Sequence, residues 1–453
     1  MLRPVPLSAD TLDLGIEGGE LVTPRGRARL NVYASGGKIA QITASRLPAE
    51  RTIDASGLLV MPGMIDAHVH FMDPADTSRE DFPHGTAAAA RSGVTTVIEH
   101  THAIPVIHPR DLEDKRAHLR DRSRVDFALG AHAWPDTDQD VAAVWAAGAA
   151  FVKAFTCTTH GVPGHDAAHL WRLFEAAERC GAVCLVHCED ESLTSVAEQE
   201  LRAAGRDDGS IIPAWRNPEA ELTAVTTTAV LAERAGAEVI VAHASNAKTI
   251  DLTGGLLVET CPQYLTLLER ESLEHGALRK FTPPARARSE ADIEAMWAAL
   301  ADGRVSYVSS DHAPSTLEQK QAGSIWDVHF GLPGIDTTFS ALLDGAAAGR
   351  ISYERVVELY SEQPARIYGM WPTKGRLGPG ADADVVLVDP SRSWKVRDED
   401  ILSKAGWSPF SGRTFQGRAV QTFVRGRLVA DGGEVVGEPG TGEFLPGRGA
   451  RRP

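Results

Sequence analysis

The sequence predicts an α/β protein, a (β/α)8 TIM-type barrel with a small β-sandwich domain built from both chain ends. Three observations lead to this prediction. Segments with alternating apolar and polar residues lie near both ends, eight short β-branched runs occupy the middle, and Ala-rich helical stretches separate those runs.

Both ends of the chain show the alternating pattern and glycine-containing turns that are typical of antiparallel β-structure. Residues 11–54 contain "LDLGIEGGELVTP" and "ARLNVYASGGKIAQIT", and the distal end contains "GADADVVLVDP" and "AVQTFVRGRLVADGGEVV". Neither piece is large enough to bury a core alone, so we expect them to pack together. The predicted organisation is 1–58 for the first part of the sandwich, 59–372 for the barrel, and 373–453 for the second part of the sandwich and a tail.

The middle of the chain alternates strands with helices. Predicted helices include "HGTAAAARSG", "DAAHLWRLFEAAERCG", "ELTAVTTTAVLAERAG" and "EADIEAMWAALADG". Eight parallel strands are the number at which such a sheet closes into a barrel. The predicted strands are "LLVMPGMIDAHVH", "VTTVIEH", "VDFALGAH", "AAFVKAFT", "AVCLVHCE", "AEVIVAHAS", "LLVETC" and "VSYVSSDH".

Composition excludes several classes of protein. Lys plus Arg is 46 against 61 for Asp plus Glu, and the net charge of −15 argues against a nucleic-acid partner. There is no 18-residue apolar run and the N-terminal segment has no signal-peptide pattern, so we expect no membrane partner and a cytoplasmic location. The five scattered cysteines indicate reduced thiols rather than a disulfide framework.

Histidine, lysine and aspartate residues lie at the ends of the predicted barrel strands. Carboxyl ends of barrel strands converge on one mouth, which brings residues far apart in sequence to a common point. Alternation on a strand places His68 and His70 on the same side, so both can reach one ion. Two incidental imidazoles would be the alternative for that pair alone. The full set predicted to ligate metal is His68, His70, Lys153, His187, His243 and Asp311.

Lys153 is the unusual member of this set. An ammonium group beside imidazoles and metal would be repelled, and burial favours the neutral amine. A neutral lysine can react with carbon dioxide to give a carbamate, an anionic group that bridges two ions. A lysine paired with a carboxylate at the barrel mouth is the alternative.

A family resemblance follows from ten motifs in order. They are "PGMIDAHVH", "GVTTVIE", "FVKAF", "HCED", "RNPEAE", "HASN", "ETCPQYL", "TPPAR", "SSDHAP" and "GLPGID". This set resembles the cyclic-amide hydrolases of the amidohydrolase superfamily, the group of hydantoinases, dihydropyrimidinases, allantoinases and dihydroorotases. The resemblance covers essentially the whole chain.

The resemblance implies a binuclear metal hydrolase. His68, His70 and Asp311 would hold one ion, and His187 and His243 the other. Carboxylated Lys153 and a hydroxide would bridge two divalent ions, with zinc as the expected metal. The hydroxide would attack the ring amide, and Asp311 would be the catalytic proton shuttle to the leaving nitrogen. The expected partners are a small cyclic amide and further copies of the chain, as a homodimer or homotetramer.

Departures from the family's motifs bear on the substrate. Dihydroorotases and allantoinases place an arginine just after the HxH pair, where this chain has Phe71 and Met72. These two residues and Phe330 suggest an apolar ring substituent, so we predict a hydantoin-like or dihydropyrimidine-like substrate. The candidate substrate contacts are His102 in place of a dihydroorotase asparagine, Thr158 in place of a tyrosine, Thr282 and Phe330. We expect His100, His132 and His160 to support or pack beside the site.

Other functions are left open by the sequence. Allantoinase or dihydroorotase-type activity is the alternative within the group. A deaminase on the same fold is disfavoured, because such enzymes generally use one metal and lack the bridging lysine. A non-catalytic hydantoinase-like scaffold protein is the alternative of another class, although all six ligand positions are filled.

Overall fold

The computed structural model describes residues 12–135 and 139–451. Its strands, numbered in chain order, are β1 Leu12–Glu17, β2 Glu20–Thr23, β3 Gly26–Arg29, β4 Asn31–Ser35, β5 Lys38–Thr43, β6 Ala49–Asp54, β7 Leu59–Pro62, β8 Met64–Val69, β9 Val94–Glu99, β10 Asp126–Leu129, β11 Ala131–His132, β12 Val152–Phe155, β13 Val183–His187, β14 Glu238–Val241, β15 Leu257–Thr260, β16 Tyr307–Val308, β17 Val385–Lys395, β18 Thr414–Val424, β19 Arg427–Asp431 and β20 Glu434–Val435.

The helices are numbered in the same way: α1 Phe82–Arg91, α2 Pro109–Leu119, α3 Val141–Ala147, α4 Ala167–Cys180, α5 Glu191–Ala203, α6 Ile211–Trp215, α7 Pro218–Ala235, α8 Ala247–Asp251, α9 Glu271–His275, α10 Glu290–Ala301, α11 Leu317–Gln321, α12 Thr338–Ala347, α13 Tyr353–Val357 and α14 Gln363–Ile367. Single 3-10 turns occupy Pro262–Leu265, Gly276–Arg279, Asp398–Asp400 and Arg448–Arg451, and a π-helical turn occupies Glu358–Glu362.

The predicted barrel is confirmed. Parallel strands run in the order β8, β9, β10 and then β11 through β16, with β10 and β11 forming one strand position interrupted at Gly130. A Cβ at Gly130 would lie 2.4 Å from the Phe151 ring, so only glycine fits there. The barrel closes where Val69 pairs in parallel with His312, and the His70 amide donates to the His312 carbonyl at 2.7 Å.

The predicted sandwich is also confirmed. One sheet has the order β5-β4-β1-β6 and the other β20-β19-β18-β17-β7-β2-β3, so both chain ends contribute to it. A separate apolar cluster that includes Leu14, Val32, Val385 and Phe423 fills the space between them. Burying these side chains against one another gives this small domain its own core.

The run "LLVMPGMIDAHVH" differs from the prediction, because it is two strands in two domains. Strand β7 pairs with β17 and β2 in the sandwich, whereas β8 begins the barrel. The chain switches at Gly63, where a Cβ would lie 2.1 Å from Thr95 Oγ1. Residues 59–62 therefore pair outside the barrel, and the exact domain boundaries remain a prediction.

The four predicted helices are present, with starts fixed by caps that the apolar pattern does not reveal. Helix α1 begins two residues before its predicted start, because the Asp81 carboxylate accepts from the His84 amide and Pro83 occupies the first turn. Helix α4 begins after the cap Asp166 and ends at Gly181, whose φ of 69° glycine adopts without strain. No helix in the described ranges is long and apolar enough to cross a membrane.

A buried ion cluster joins the barrel to the sandwich. The ammonium group of Lys374 donates to Asp384 at 2.6 Å, lies 2.8 Å from Asp382, and also donates to Asp126 on β10. The Lys374 side chain is 2% exposed. One cation therefore pairs with carboxylates from both domains.

We expect the substitution Lys374→Met to destabilise the protein strongly, because it removes a cation shared by three buried carboxylates and leaves Asp126 with Arg425 and Asp382 with Lys38 as their remaining cations. Removing one partner of a buried ion pair costs about 3–5 kcal/mol. Urea unfolding, followed by circular dichroism, measures the change. The control Lys395→Met alters an exposed lysine of β17 and is expected to change the free energy of unfolding by less than about 0.5 kcal/mol. Equal stability of the two variants would contradict the role of the cluster.

Candidate metal centre

The six predicted ligands line one cavity at the mouth of the barrel. His68 and His70 lie at the end of β8, His187 is the last residue of β13, and Lys153 lies within β12. His243 and Asp311 lie two and three residues beyond the ends of β14 and β16. The five His and Lys side chains are buried, and the Asp311 side chain is 16% exposed. The convergence of strand ends thus brings together His68, His70, Lys153, His187, His243 and Asp311.

One group of donor atoms surrounds Asp311. Its Oδ1 lies 3.2 Å from His68 Nε2 and 3.4 Å from His70 Nε2. His68 Nδ1 is 2.9 Å from a Glu259 carboxylate oxygen, and His70 Nδ1 is 2.9 Å from the carbonyl of His100. Because those oxygens only accept, each Nδ1 carries the proton and each Nε2 has a free lone pair directed at the same place.

A second group of donor atoms lies on the opposite wall. His187 Nδ1 and His243 Nε2 are 3.0 Å apart, and His187 Nε2 donates to Glu189 at 2.8 Å. Because Nε2 carries the proton, His187 Nδ1 has the lone pair that can bind a metal ion. Two nitrogens that share a tetrahedral zinc ion at 2.0–2.1 Å are separated by about 3.3 Å, so the observed spacing suits one ion.

Backbone strain at two strand ends turns ligands into the cavity. His243 has φ of 38° and Asp311 has φ of 48°, both in the left-handed region that non-glycine residues rarely adopt. Each lies two or three residues beyond the end of a short strand, and both side chains line the cavity. Such strain is characteristic of functional sites.

Lys153 lies between the two groups. Its Nζ is buried and, within the described residues, has no hydrogen-bond partner. Burial lowers the pKa of Lys153 to about 8, although the Glu259 and Asp311 carboxylates act in the opposite direction. A substantial fraction of the amine is therefore neutral near pH 8, as carbamate formation requires.

The electrostatics favour metal binding at both groups. Burial lowers the pKa of His70 to about 4 and that of His243 well below its usual value, so both imidazoles are neutral near pH 7. Burial alone would raise the pKa of the Asp311 carboxyl, but the neighbouring imidazoles of His68, His243 and His70 hold it below its usual range. Neutral imidazoles and an ionised carboxylate are the forms that bind a divalent ion.

Two buried carboxylates that the sequence analysis missed hold the ligands in place. Glu259 accepts from His68, from the His243 amide at 3.0 Å and from the Ser309 hydroxyl at 2.6 Å. Glu189 accepts from His187, with Arg216 3.6 Å away. Their only sequence signal is an acidic residue at the end of an apolar strand, in "LLVETC" and "VCLVHCED", where burial without partners would be costly.

The rest of the cavity wall mixes aromatic and polar side chains. Of the predicted substrate contacts, His102, Thr282 and Phe330 line the cavity, together with Phe155, His160, Ala313 and Gly331. Thr158 does not line it. It is exposed on the loop after β12, where its hydroxyl accepts from the Gly164 amide at 3.4 Å.

Phe71 and Met72 also lie away from the cavity, so the expectation that they form the apolar part of the pocket is wrong. The Phe71 ring packs edge-on against Phe82 at 5.2 Å between centroids, directly over Gly85. The Met72 sulfur accepts from the Thr101 hydroxyl at 3.5 Å. Both side chains anchor the loop after β8, and the apolar wall comes from other strands.

Comparisons with known proteins agree on the family. A model of the amidohydrolase family matches residues 59–429. The chain is 33% identical to an L-hydantoinase of Paenarthrobacter aurescens, over 96% of this chain and 98% of that protein. It is 35% identical to an allantoinase of Rubrobacter xylanophilus, over 96% of this chain and 97% of that protein.

A solved structure is similar over the same extent. The L-hydantoinase (dihydropyrimidinase) from Arthrobacter aurescens superposes with a TM-score of 0.91 at 31% identity, covering 96% of this chain and 100% of that one. Similarity across the full length includes both the barrel and the sandwich.

We expect Glu259→Gln to weaken zinc binding by about 10–100-fold, because the neutral amide loses the negative charge beside His68 and has one acceptor oxygen in place of the two that serve His68, the His243 amide and Ser309. Competition with a chromophoric zinc chelator measures the affinity. The control Glu233→Gln changes an exposed residue of α7 and should leave the affinity unchanged. Wild-type affinity in Glu259→Gln would show that Glu259 does not orient the ligands.

Proposed function

The chain belongs to the amidohydrolase family, in the group that hydrolyses cyclic amides, and we propose that it opens hydantoin-like or dihydropyrimidine-like rings at the ring C–N bond. The observation that carries this proposal is the meeting of two groups of metal-ligating atoms around the buried Lys153, whose amine has no hydrogen-bond partner among the residues that the structure describes. Ligand sets of this kind suit two divalent ions rather than one.

We assign the two ions to His68, His70, Lys153, His187, His243 and Asp311, with Lys153 carboxylated. The fit is supported by the free Nε2 atoms of His68 and His70 on one side and by the 3.0 Å pair of His187 and His243 on the other. Imidazole and carboxylate ligands suit zinc, which we propose as the metal. When bound, such a pair of ions supplies hydroxide near neutral pH and polarises a carbonyl group.

Asp311 is the proposed proton carrier. Because its pKa lies below the usual range, it is a carboxylate at neutral pH and can accept a proton on an oxygen. The departing ring nitrogen must be protonated to leave, and the partly exposed Asp311 is placed to deliver that proton. We expect Asp311→Asn to lower kcat far more than it changes KM.

The proposed substrate contacts come from the remaining wall. The rings of Phe155 and Phe330 supply apolar surface, and His102 supplies an imidazole that can bond a ring carbonyl or N–H. The Thr282 hydroxyl donates to Glu189, so its oxygen is left to accept. This mixture suits a polar ring with an apolar substituent. Thr158, exposed outside the cavity, has no proposed contact.

We further propose a homodimer or homotetramer in the cytoplasm. The support for the oligomer is the family resemblance, and the support for the location is the set of five scattered cysteines, whose pattern indicates reduced thiols. Sedimentation equilibrium of the purified protein measures the number of copies.

A panel of rings tests the substrate class directly. Zinc-loaded protein is assayed with 5-substituted hydantoins, dihydrouracil, allantoin, dihydroorotate and simple cyclic imides, with Asp311→Asn as the inactive control. We expect the highest kcat/KM with hydantoins or dihydrouracil. Activity confined to allantoin or dihydroorotate would replace the proposed substrate by that alternative. Absence of activity towards all rings by metal-loaded protein would favour the non-catalytic scaffold.

We expect Lys153→Ala to bind less metal and to lose activity, because the anionic bridge is gone. Short carboxylates such as acetate or propionate, added at high concentration with zinc, should restore part of the activity by occupying the place of the carbamate. Lys280→Ala, which removes another buried lysine, should not respond to these additions. A Lys153→Ala protein with two ions and full turnover would contradict the bridging role.

A further inference from the structure

A second set of imidazoles lies beside the six proposed ligands. The sequence "HTH" supplies His100 and His102 directly after β9, as "HVH" supplies His68 and His70 at the end of the neighbouring β8. The next strand position, β11, contributes His132. Three imidazoles from adjacent strand ends thus repeat the arrangement that builds the first centre.

The three rings surround a common point. Their centroids are 5.5 Å apart for His100 and His132, 5.4 Å for His102 and His132, and 5.8 Å for His100 and His102. One ring nitrogen from each lies within 4.8 Å of the others. His102 Nδ1 and His132 Nε2 are 3.2 Å apart, close to the 3.0 Å between His187 and His243.

The polar atoms of this cluster are poorly satisfied by the protein. His100 and His132 are 1% and 0% exposed. Among the described residues, neither ring nitrogen of His100 has a hydrogen-bond partner, nor has Nδ1 of His132. Leaving a buried polar atom unpaired costs about 1–3 kcal/mol, so an ion that takes up the lone pair of the His100 ring would be favoured.

We propose that His100, His102 and His132 bind a third metal ion, a divalent transition metal such as zinc. Three histidines with a fourth position open form a recognised type of zinc site. His102 also lines the substrate cavity, so an ion held by it would be accessible from that cavity to a carbonyl or carboxylate oxygen. The ligands of this site are separate from the six assigned to the binuclear centre, and the inference does not depend on the proposed reaction.

Metal content of matched variants tests the proposal. His132→Phe removes a ligand and keeps the ring size beside Phe155, whose ring stacks on His132 at 6.5 Å. His160→Phe is the matched control, since His160 stacks on His102 at 4.8 Å and lines the same cavity but lies outside the cluster. Each protein is loaded with excess zinc, freed of loosely bound metal by gel filtration, and analysed by mass spectrometry.

The expected result is one zinc ion fewer per chain in His132→Phe than in the wild type, and no loss in His160→Phe. The test compares the zinc content per chain of two proteins, so its result does not depend on how many ions the binuclear centre retains. Equal zinc content in the wild type and His132→Phe would overturn the third site. Equal losses in both variants would overturn the assignment of its ligands.

Diffraction from the wild-type protein tests the same point without any substitution. Crystals soaked in zinc are measured on both sides of the zinc absorption edge. We expect an anomalous peak between the rings of His100, His102 and His132. A map with peaks at the six-ligand centre and none in this cluster would overturn the inference and leave the binuclear centre intact. Absence of peaks at the six-ligand centre would instead contradict the proposed function.

Discussion

The burial of Lys153 is the constraint on which the rest of the site depends. An ammonium group held among imidazoles, with no hydrogen-bond partner in the described parts of the chain, is an unfavourable state for a protein to maintain. Loss of the proton removes the charge, and a carbamate would replace it with an anion that cations can pair with. Under the proposed chemistry, metal binding and carboxylation of Lys153 would stabilise each other. The site is consistent with two cations, because no group in the described ranges forms a hydrogen bond with this amine.

The scaffold meets this constraint by fixing ligands from opposite sides of the barrel. Glu259 accepts from the His68 ring and from the His243 amide, so one carboxylate sets the orientation of ligands in both groups. The last strand is held in a similar way. Asp66 accepts from the Ser310 amide at 2.9 Å and from the Tyr360 hydroxyl at 2.9 Å, which fixes the backbone next to Asp311. Rigid supports of this kind place the donor atoms before any ion arrives.

Much of this architecture could be predicted from the sequence. Period-two alternation, Ala-rich helices and ligand-type residues at strand ends were sufficient for the barrel, the sandwich and the convergence of His68, Lys153 and Asp311. The predictions that the structure corrected failed for a common physical reason. The end of a strand at Gly63, the orientation of Phe71 and the exposure of Thr158 depend on contacts with residues far away in sequence, such as Thr95 and Phe82. The role of Glu259 depends on two partners that only the closed barrel brings to it.

Carbon-13 NMR of the zinc-loaded protein in labelled bicarbonate tests the state of Lys153 most directly, because it observes the proposed carbamate carbon itself. The account predicts one enriched carbamate resonance per chain that persists while zinc is bound and is lost when a chelator removes the metal. A protein that holds its zinc at the six-ligand centre and shows no enriched carbamate carbon would contradict it.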